Sequence, residues 1–429
     1  MKTSTTRTAC TLAAAGLVLS LGVTLPVTSA SAATVAANPS APGSSGGSVS
    51  SASAAKLRSA GIDPAVAGRL SPAQARQLDA LLTSLPADFR ARQTAALAKA
   101  GVDRSPVRDA VEARLAAAID GTQYVCSSTA LDAYVNQLVG ALDTNTIVIL
   151  LTFGLLDFPT YDALFYGTTG DPAYALPKDY KNELNRAFSA TKRFWDVKLD
   201  DIQIMAMHGS MLTDVSRVQR MFALLYGIDG AAGASYAASI VDFVRGTPAL
   251  RGGDNPLFTL NAFAFSGAGE ADPTIAALPD KMIFGDGILD ALDKTGFRDV
   301  GPSAVLGHEM AHHVQYEDNL FVTDLTGPEA TRRTELMADA FGTYFVTSKR
   351  GLALNTARVI EAEQNFYNVG DCSFDNPGHH GTPLQRLAAA TWGADVAKAA
   401  ANQGHILPSL TLDAMFEKQL PVLVAPDAG

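Results

Sequence analysis

Cysteine, basic charge and long apolar runs are all scarce in these 429 residues. The three cysteines are Cys10, Cys126 and Cys372, and no two are spaced as metal ligands, so the chain carries no thiolate metal motif. Basic residues number 33 against 43 acidic. Taking away an N-terminal segment that holds Lys2 and Arg7 leaves 31 against 43, a net charge near −12. Such a balance argues against nucleic acid and against an anionic membrane surface as partners. After the first thirty residues no apolar run has the length of a bilayer span. Ile147–Leu156 has only the length of a buried element.

Residues 1–32 read as a secretory signal. Lys2 and Arg7 form a basic start, Leu12–Val27 is mostly apolar, and Ala30-Ser31-Ala32 is an A-x-A-like cleavage site. The other reading is an uncleaved membrane anchor, for which the apolar core is short. An exported protein of the secreted, extracellular or cell-envelope class is expected, with no stable membrane span once the signal is removed. It then keeps two cysteines, and one disulfide, Cys126–Cys372, is expected; two separate buried thiols are the alternative.

Val305–Gln315, V-L-G-H-E-M-A-H-H-V-Q, contains H-E-x-x-H as His308, Glu309 and His312. On a helix the two histidines lie one turn apart on one face and can grip one metal ion, with Glu309 beside them. Two imidazole ligands and a carboxylate able to take a proton from an activated water are what a zinc hydrolase needs. A third ligand must come from elsewhere. Thr334–Gly342, T-E-L-M-A-D-A-F-G, offers Glu335 and Asp339 four residues apart on a helix expected to run to about Arg350. Glu335 would complete His-His-Glu around one Zn²⁺ per chain. Asp339, in the second shell of the ion, would accept the other ring N–H of a ligating histidine. Alone, these acids would read as a solvated helix face. His313 lies about 100° round the helix from His312 and is left as a residue behind the ligands or a structural one.

In order, these pieces resemble the gluzincin zinc metallopeptidases of the HtpX-like and CAAX-prenyl-protease type. The pieces are Asn261-Ala262-Phe263-Ala264, Lys281–Leu292, the two motifs above, and His380-Gly-Thr-Pro-Leu-Gln-Arg386. The segment H-H-V-Q is also similar to bacterial neutral zinc metallopeptidases. The match covers roughly residues 255–390. It departs from the family at Gly381, where proline is usual, and in lacking membrane spans. The resemblance implies an α+β, mainly helical fold, with a zincin-like domain and a small sheet. It implies that His380 assists the developing oxyanion and that Arg386 supports the site; His379 is the competing histidine. It also implies that Asn261, Ala262 and Phe263 lie on an edge strand whose backbone pairs with a polypeptide substrate.

The expected organisation is a signal over 1–32, a flexible Ala/Ser/Gly/Pro linker over 33–54, an Ala-rich helical module over 55–120 and the zincin-like domain over 121–429. Ser71-Pro72-Ala73-Gln74 predicts a helix start, and L-R-S-A-G-I-D at Leu57–Asp63 is echoed at Leu97–Asp103. The module can be a propeptide, a substrate-positioning unit or a clasp. Val197–Met207 and Leu257–Phe265 read as strands, and Thr213–Tyr226, Leu384–Ala401 and a start at Thr382-Pro383-x-Gln385 as helices. His208, at a strand end, is a hydrogen-bonded structural residue or faces the cleft. Leu407–Gly429 reads as a docking tail with a loose end. The expected activity is peptide-bond hydrolysis by zinc-activated water, with Glu309 as base. The alternatives are a silent peptide-binding or chaperone-like protein and a hydrolase of cell-wall amides.

Overall fold

The computed structural model describes residues 16–17, 47–100, 127–325, 328–371, 379–399 and 404–425. Over them the chain is an α+β fold, mainly helical, around a small sheet.

The N-terminal helices are α1 (Ser51–Ser59), α2 (Pro72–Ser84) and α3 (Phe89–Ala100). The Ser71 start holds: its hydroxyl accepts from the Gln74 N–H, and the Gln74 side chain accepts from the Ser71 N–H. The linker ends earlier than expected, because Ser50 caps α1 through the Ser53 N–H. Phe89 is buried against Tyr226, and Arg92 donates to the Tyr226 carbonyl at 3.2 Å. These helices therefore share the core of the rest of the chain. The second copy of the echoed heptapeptide runs past Ala100, out of the described residues, as does Cys126; Cys372 is likewise outside them.

Next come α4 (Ala130–Gly140), α5 (Thr144–Phe153), α6 (Phe158–Tyr166), α7 (Lys178–Phe194), α8 (Val215–Tyr226) and α9 (Gly230–Gly246). The apolar stretch seen at Ile147–Leu156 is part of a longer one. Thr144–Tyr166 is long and apolar enough to cross a membrane by length and composition, but its apolar window is buried inside the protein and only its ends reach the surface. A core helix pair has that character.

The sheet holds β1 (Gln203–Met207), β2 (Ala262–Phe265) and β3 (Lys281–Gly285). β1 runs parallel to β3 and β2 antiparallel to it, so β3 is central. Both leading strands are shorter than the sequence suggests. Leu257 and Phe258 fall in a 3₁₀ turn because the Asn255 side chain accepts from the Leu257 N–H. The outer edge of β2 is paired antiparallel with Gly16 and Leu17, in register with Phe263 and Ala262. Lys281 anchors β3 to α6: its buried ammonium donates to the carbonyls of Ala163, Leu164 and Gly167 at 3.3, 2.6 and 2.7 Å.

The remaining helices are α10 (Asp286–Lys294), α11 (Gly301–Glu317), α12 (Pro328–Thr347), α13 (Thr356–Asn368), α14 (Pro383–Lys398) and α15 (Ser409–Leu423). The tail docks as expected over α15, which buries Leu412 and Phe416, while its last residues, 426–429, lie outside the described ones. The packing of α11 on α12 positions the site. A Cβ on Gly342 would lie 2.8 Å from the His308 amide nitrogen and 2.9 Å from the Gly307 carbonyl carbon. Only hydrogen side chains let the two backbones meet there.

Candidate metal centre

α11 carries His308, Glu309 and His312 on its buried side, and α12 brings Glu335 and Asp339 across from them. His308, Glu309, His312, Glu335, Asp339, His380 and Arg386 are each at most 1 % exposed. The two Nε2 atoms of His308 and His312 are 3.0 Å apart. Glu335 Oε2 is 3.4 Å from His308 Nε2, and its Oε1 is 3.4 Å from His312 Nε2. Bonds of about 2.0–2.2 Å at tetrahedral angles put ligand atoms roughly 3.3–3.6 Å apart. The donor triangle is therefore the size of a metal coordination face, and these three residues can hold a metal ion.

The outer ring nitrogens are engaged in the sense that ligation requires. His308 Nδ1–H donates to Asp339 Oδ1 at 2.9 Å, and His312 Nδ1–H donates to Gln315 Oε1 at 2.8 Å. Each ring then turns its Nε2 lone pair inward, and lone pairs facing at 3.0 Å repel unless a cation lies between them. A proton serves when no metal does. Burial pushes His308 down, but hydrogen bonds and charge from Asp339 and Glu335 outweigh it and raise the ring to about 9. Burial likewise pushes Glu335 up. The positive charge of His380 and His312, with hydrogen bonds from His308 and His312, overcomes that and holds it well below the usual carboxylate range.

Arg386 supports this arrangement as a buried two-pronged clamp, Nε and Nη2 donating to the two Asp339 oxygens at 2.7 and 2.6 Å. Its Nη1 lies 3.6 Å from Glu335 Oε2. Four carboxylates, Glu309, Glu335, Asp339 and Asp371, are buried here around Arg386 and the histidines. Uncompensated buried charge costs several kcal/mol per ion, so the donor set suits a dication.

The Thr382 capping box forms as expected and starts α14, which carries Arg386. His380 sits just before it, where its charge and that of Glu335 affect each other. Gly381, the departure from the resembling family, has φ +104°, which proline with φ near −65° cannot adopt. The turn after His380 therefore takes a left-handed conformation that glycine allows. β2, carrying Ala262 and Phe263 with Asn261 just before it, packs against α11; the Asn261 carbonyl accepts from the Gly285 N–H at 2.9 Å.

His313 and His208 are structural. His313 Nε2–H donates to the Lys281 carbonyl at 3.1 Å, on the sheet side of α11. His208 is held between Asp286 at 2.7 Å and the Ala175 carbonyl at 3.0 Å. Two residues that sequence reading missed belong to the site. Gln315 is the outer partner of His312, and its only signal was the Q three residues on in H-H-V-Q. Asp371 holds both His379 and His380, and nothing local marked it.

Comparison of the chain with family models, with curated proteins and with solved structures gave no match. What the site can do rests on its own chemistry.

Proposed function

We propose that the chain is an exported zinc-dependent metallopeptidase with a zincin-like domain that cuts polypeptides by hydrolysis. The observation that carries this reading is the His308–His312–Glu335 triangle, with donor atoms 3.0 to 3.4 Å apart and both outer ring nitrogens occupied. A zinc ion held there would supply Lewis-acid polarisation of the scissile carbonyl and a water acidified towards a pKa of about 7.

The chain's own residues do the rest. Glu309, next to His308 on the same buried face, takes the proton of the attacking water and passes it to the leaving amine. His380 donates a hydrogen bond to the carbonyl oxygen as negative charge grows on it. Arg386 and Asp339 keep His308 in one tautomer and one orientation. Burial of all these groups keeps water from screening them, so each charge acts at full strength. Ala262 and Phe263 present the backbone edge along which an extended peptide would lie, and Asn261, whose carbonyl accepts from the Gly285 N–H, fixes the start of that edge. The pairing of Gly16 and Leu17 with Phe263 and Ala262 supports that use, since the edge there takes an extended partner.

The test is cleavage of casein by the zinc-loaded chain lacking residues 1–32, beside the same chain as Glu309→Gln and beside chelated protein. Cleavage only by the chain without the substitution or chelator is expected. Equal cleavage by Glu309→Gln would remove the base assignment. No cleavage, with peptide still bound, would favour a peptide-holding protein instead.

A further inference from the structure

We infer that Asp371 is a positioning residue for His380, fixing through one buried carboxylate the ring that meets the reacting carbonyl; this rests on the hydrolase reading above. Asp371 follows α13 and is 1 % exposed. Its Oδ2 accepts from the His380 backbone N–H at 2.8 Å and from His380 Nδ1 at 3.1 Å. Its Oδ1 accepts from His379 Nδ1 at 2.7 Å. Its own N–H donates to the Gly381 carbonyl at 2.8 Å. Four hydrogen bonds thus staple residues 379–381 to one aspartate eight to ten positions earlier.

The arrangement separates the two adjacent histidines. Both give Nδ1–H to the same carboxylate, and His380 also gives it its backbone N–H, so Oδ2 is shared between the backbone and the ring of that residue. The His380 ring is therefore fixed about both its own bonds and its chain. With Nδ1 facing Asp371, Nε2 is the nitrogen on the opposite edge of the ring. A donor at Nε2 as well as Nδ1 requires the ring to carry two protons, and a carboxylate on Nδ1 is the group that stabilises such a ring. His379 takes the other oxygen and keeps the carboxylate from rotating away. Asp371 is itself anchored from behind. Next to it, Asn368 receives the Thr129 hydroxyl at its carbonyl and the Ala130 N–H at its side chain, at 3.0 and 3.1 Å, tying this end of α13 to the start of α4.

The experiment uses the whole zinc-loaded chain without residues 1–32, as Asp371→Asn, His380→Ala and the double variant. A hydrogen-bond donor to the oxyanion is worth roughly a hundred- to a thousandfold in kcat, the loss expected for His380→Ala. Misplacing that donor costs up to about a hundredfold, the loss expected for Asp371→Asn, with KM and zinc affinity within about twofold of the unaltered protein. The double variant should be no slower than His380→Ala alone, because Asp371 acts only through that ring. Losses that multiply, or a loss of zinc from Asp371→Asn, would overturn the inference and leave Asp371 as a folding residue.

A second readout does not need activity or a stable variant. In ¹⁵N-histidine spectra of the unaltered zinc-loaded protein, His380 should show a protonated, strongly hydrogen-bonded Nδ1. An unprotonated Nδ1 would overturn the inference by itself. If the protein cleaves nothing while this signal is present, the hydrolase reading fails and the hold of Asp371 on His380 stands.

Discussion

Gln315 accepts the Nδ1 hydrogen of His312 at 2.8 Å. With its other end it donates to the Thr334 carbonyl at 2.8 Å, one residue before Glu335. One buried amide therefore fixes the tautomer of the second ligand and ties it to the backbone that carries the third. Gln315→Leu removes both bonds and leaves a buried ring N–H unsatisfied. Zinc affinity is expected to fall roughly 10- to 100-fold. Competition with a chelating dye measures this, and an unchanged affinity would mean that Gln315 only fills space.

The contact between Gly307 and Gly342 is the second structural requirement. A Cβ at Gly342 would press on backbone atoms of α11 at 2.8 and 2.9 Å, and backbone cannot rotate aside. Gly342→Ala should cost roughly 1–3 kcal/mol in denaturant unfolding and weaken zinc, since α12 must retreat with Glu335. Gly246→Ala is the control: at the end of α9 a Cβ would meet nothing within 4 Å. Equal stability of the two variants would show that the helices do not need to touch.

Access to the ligands is closed in this conformation. Phe321 stacks on His312 at 6.3 Å and on Tyr316 at 4.6 Å, and Phe366 lies 5.8 Å from His308. Phe321 precedes Val322, which is 62 % exposed, so this side of the cover is thin. Phe321→Ala should speed the removal of zinc by a chelator while leaving the equilibrium affinity within a few-fold. A chelation rate equal to that of the unaltered protein would place the route of entry elsewhere.

The pair His208–Asp286 sets a pH dependence of stability distinct from that of the metal centre. Burial lowers His208, but the hydrogen bond and charge of Asp286 outweigh it, so the folded ring lies above its usual 6.5. A group raised on folding stabilises fully below its unfolded value and ceases to do so as pH rises through its folded value. The melting temperature of the unaltered protein should therefore fall more steeply above about pH 6.5 than that of His208→Gln. Parallel curves for the two proteins would contradict the assignment.

Much of this centre was legible because helical spacing is local. His308 and His312 one turn apart, and Glu335 and Asp339 one turn apart, declare their faces without any knowledge of tertiary structure. The Ser71 and Thr382 capping boxes are local for the same reason. Asp371 was illegible because its partners lie eight and nine residues on, a separation that no helical or strand periodicity marks. Gln315 was in view within H-H-V-Q but carried no role until Thr334 was placed beside it. The strand over Leu257–Phe265 came out short because the Asn255 side chain competes for the backbone at Leu257. The apolar content of Thr144–Tyr166 was underestimated because the turn at Gly154 splits it into two helices. The backbone hydrogen bond from His380 to Asp371 is likewise something no residue identity reveals.

The most direct test of the metal centre is a zinc titration of the purified chain lacking residues 1–32 beside Glu335→Ala and His312→Ala, with metal content read by elemental analysis. One tightly held zinc per unaltered chain, lost from both variants while their folds persist, is the predicted result. Zinc retained at full occupancy by Glu335→Ala, or no zinc taken up by the unaltered chain, would contradict the assignment of His308, His312 and Glu335 as its ligands.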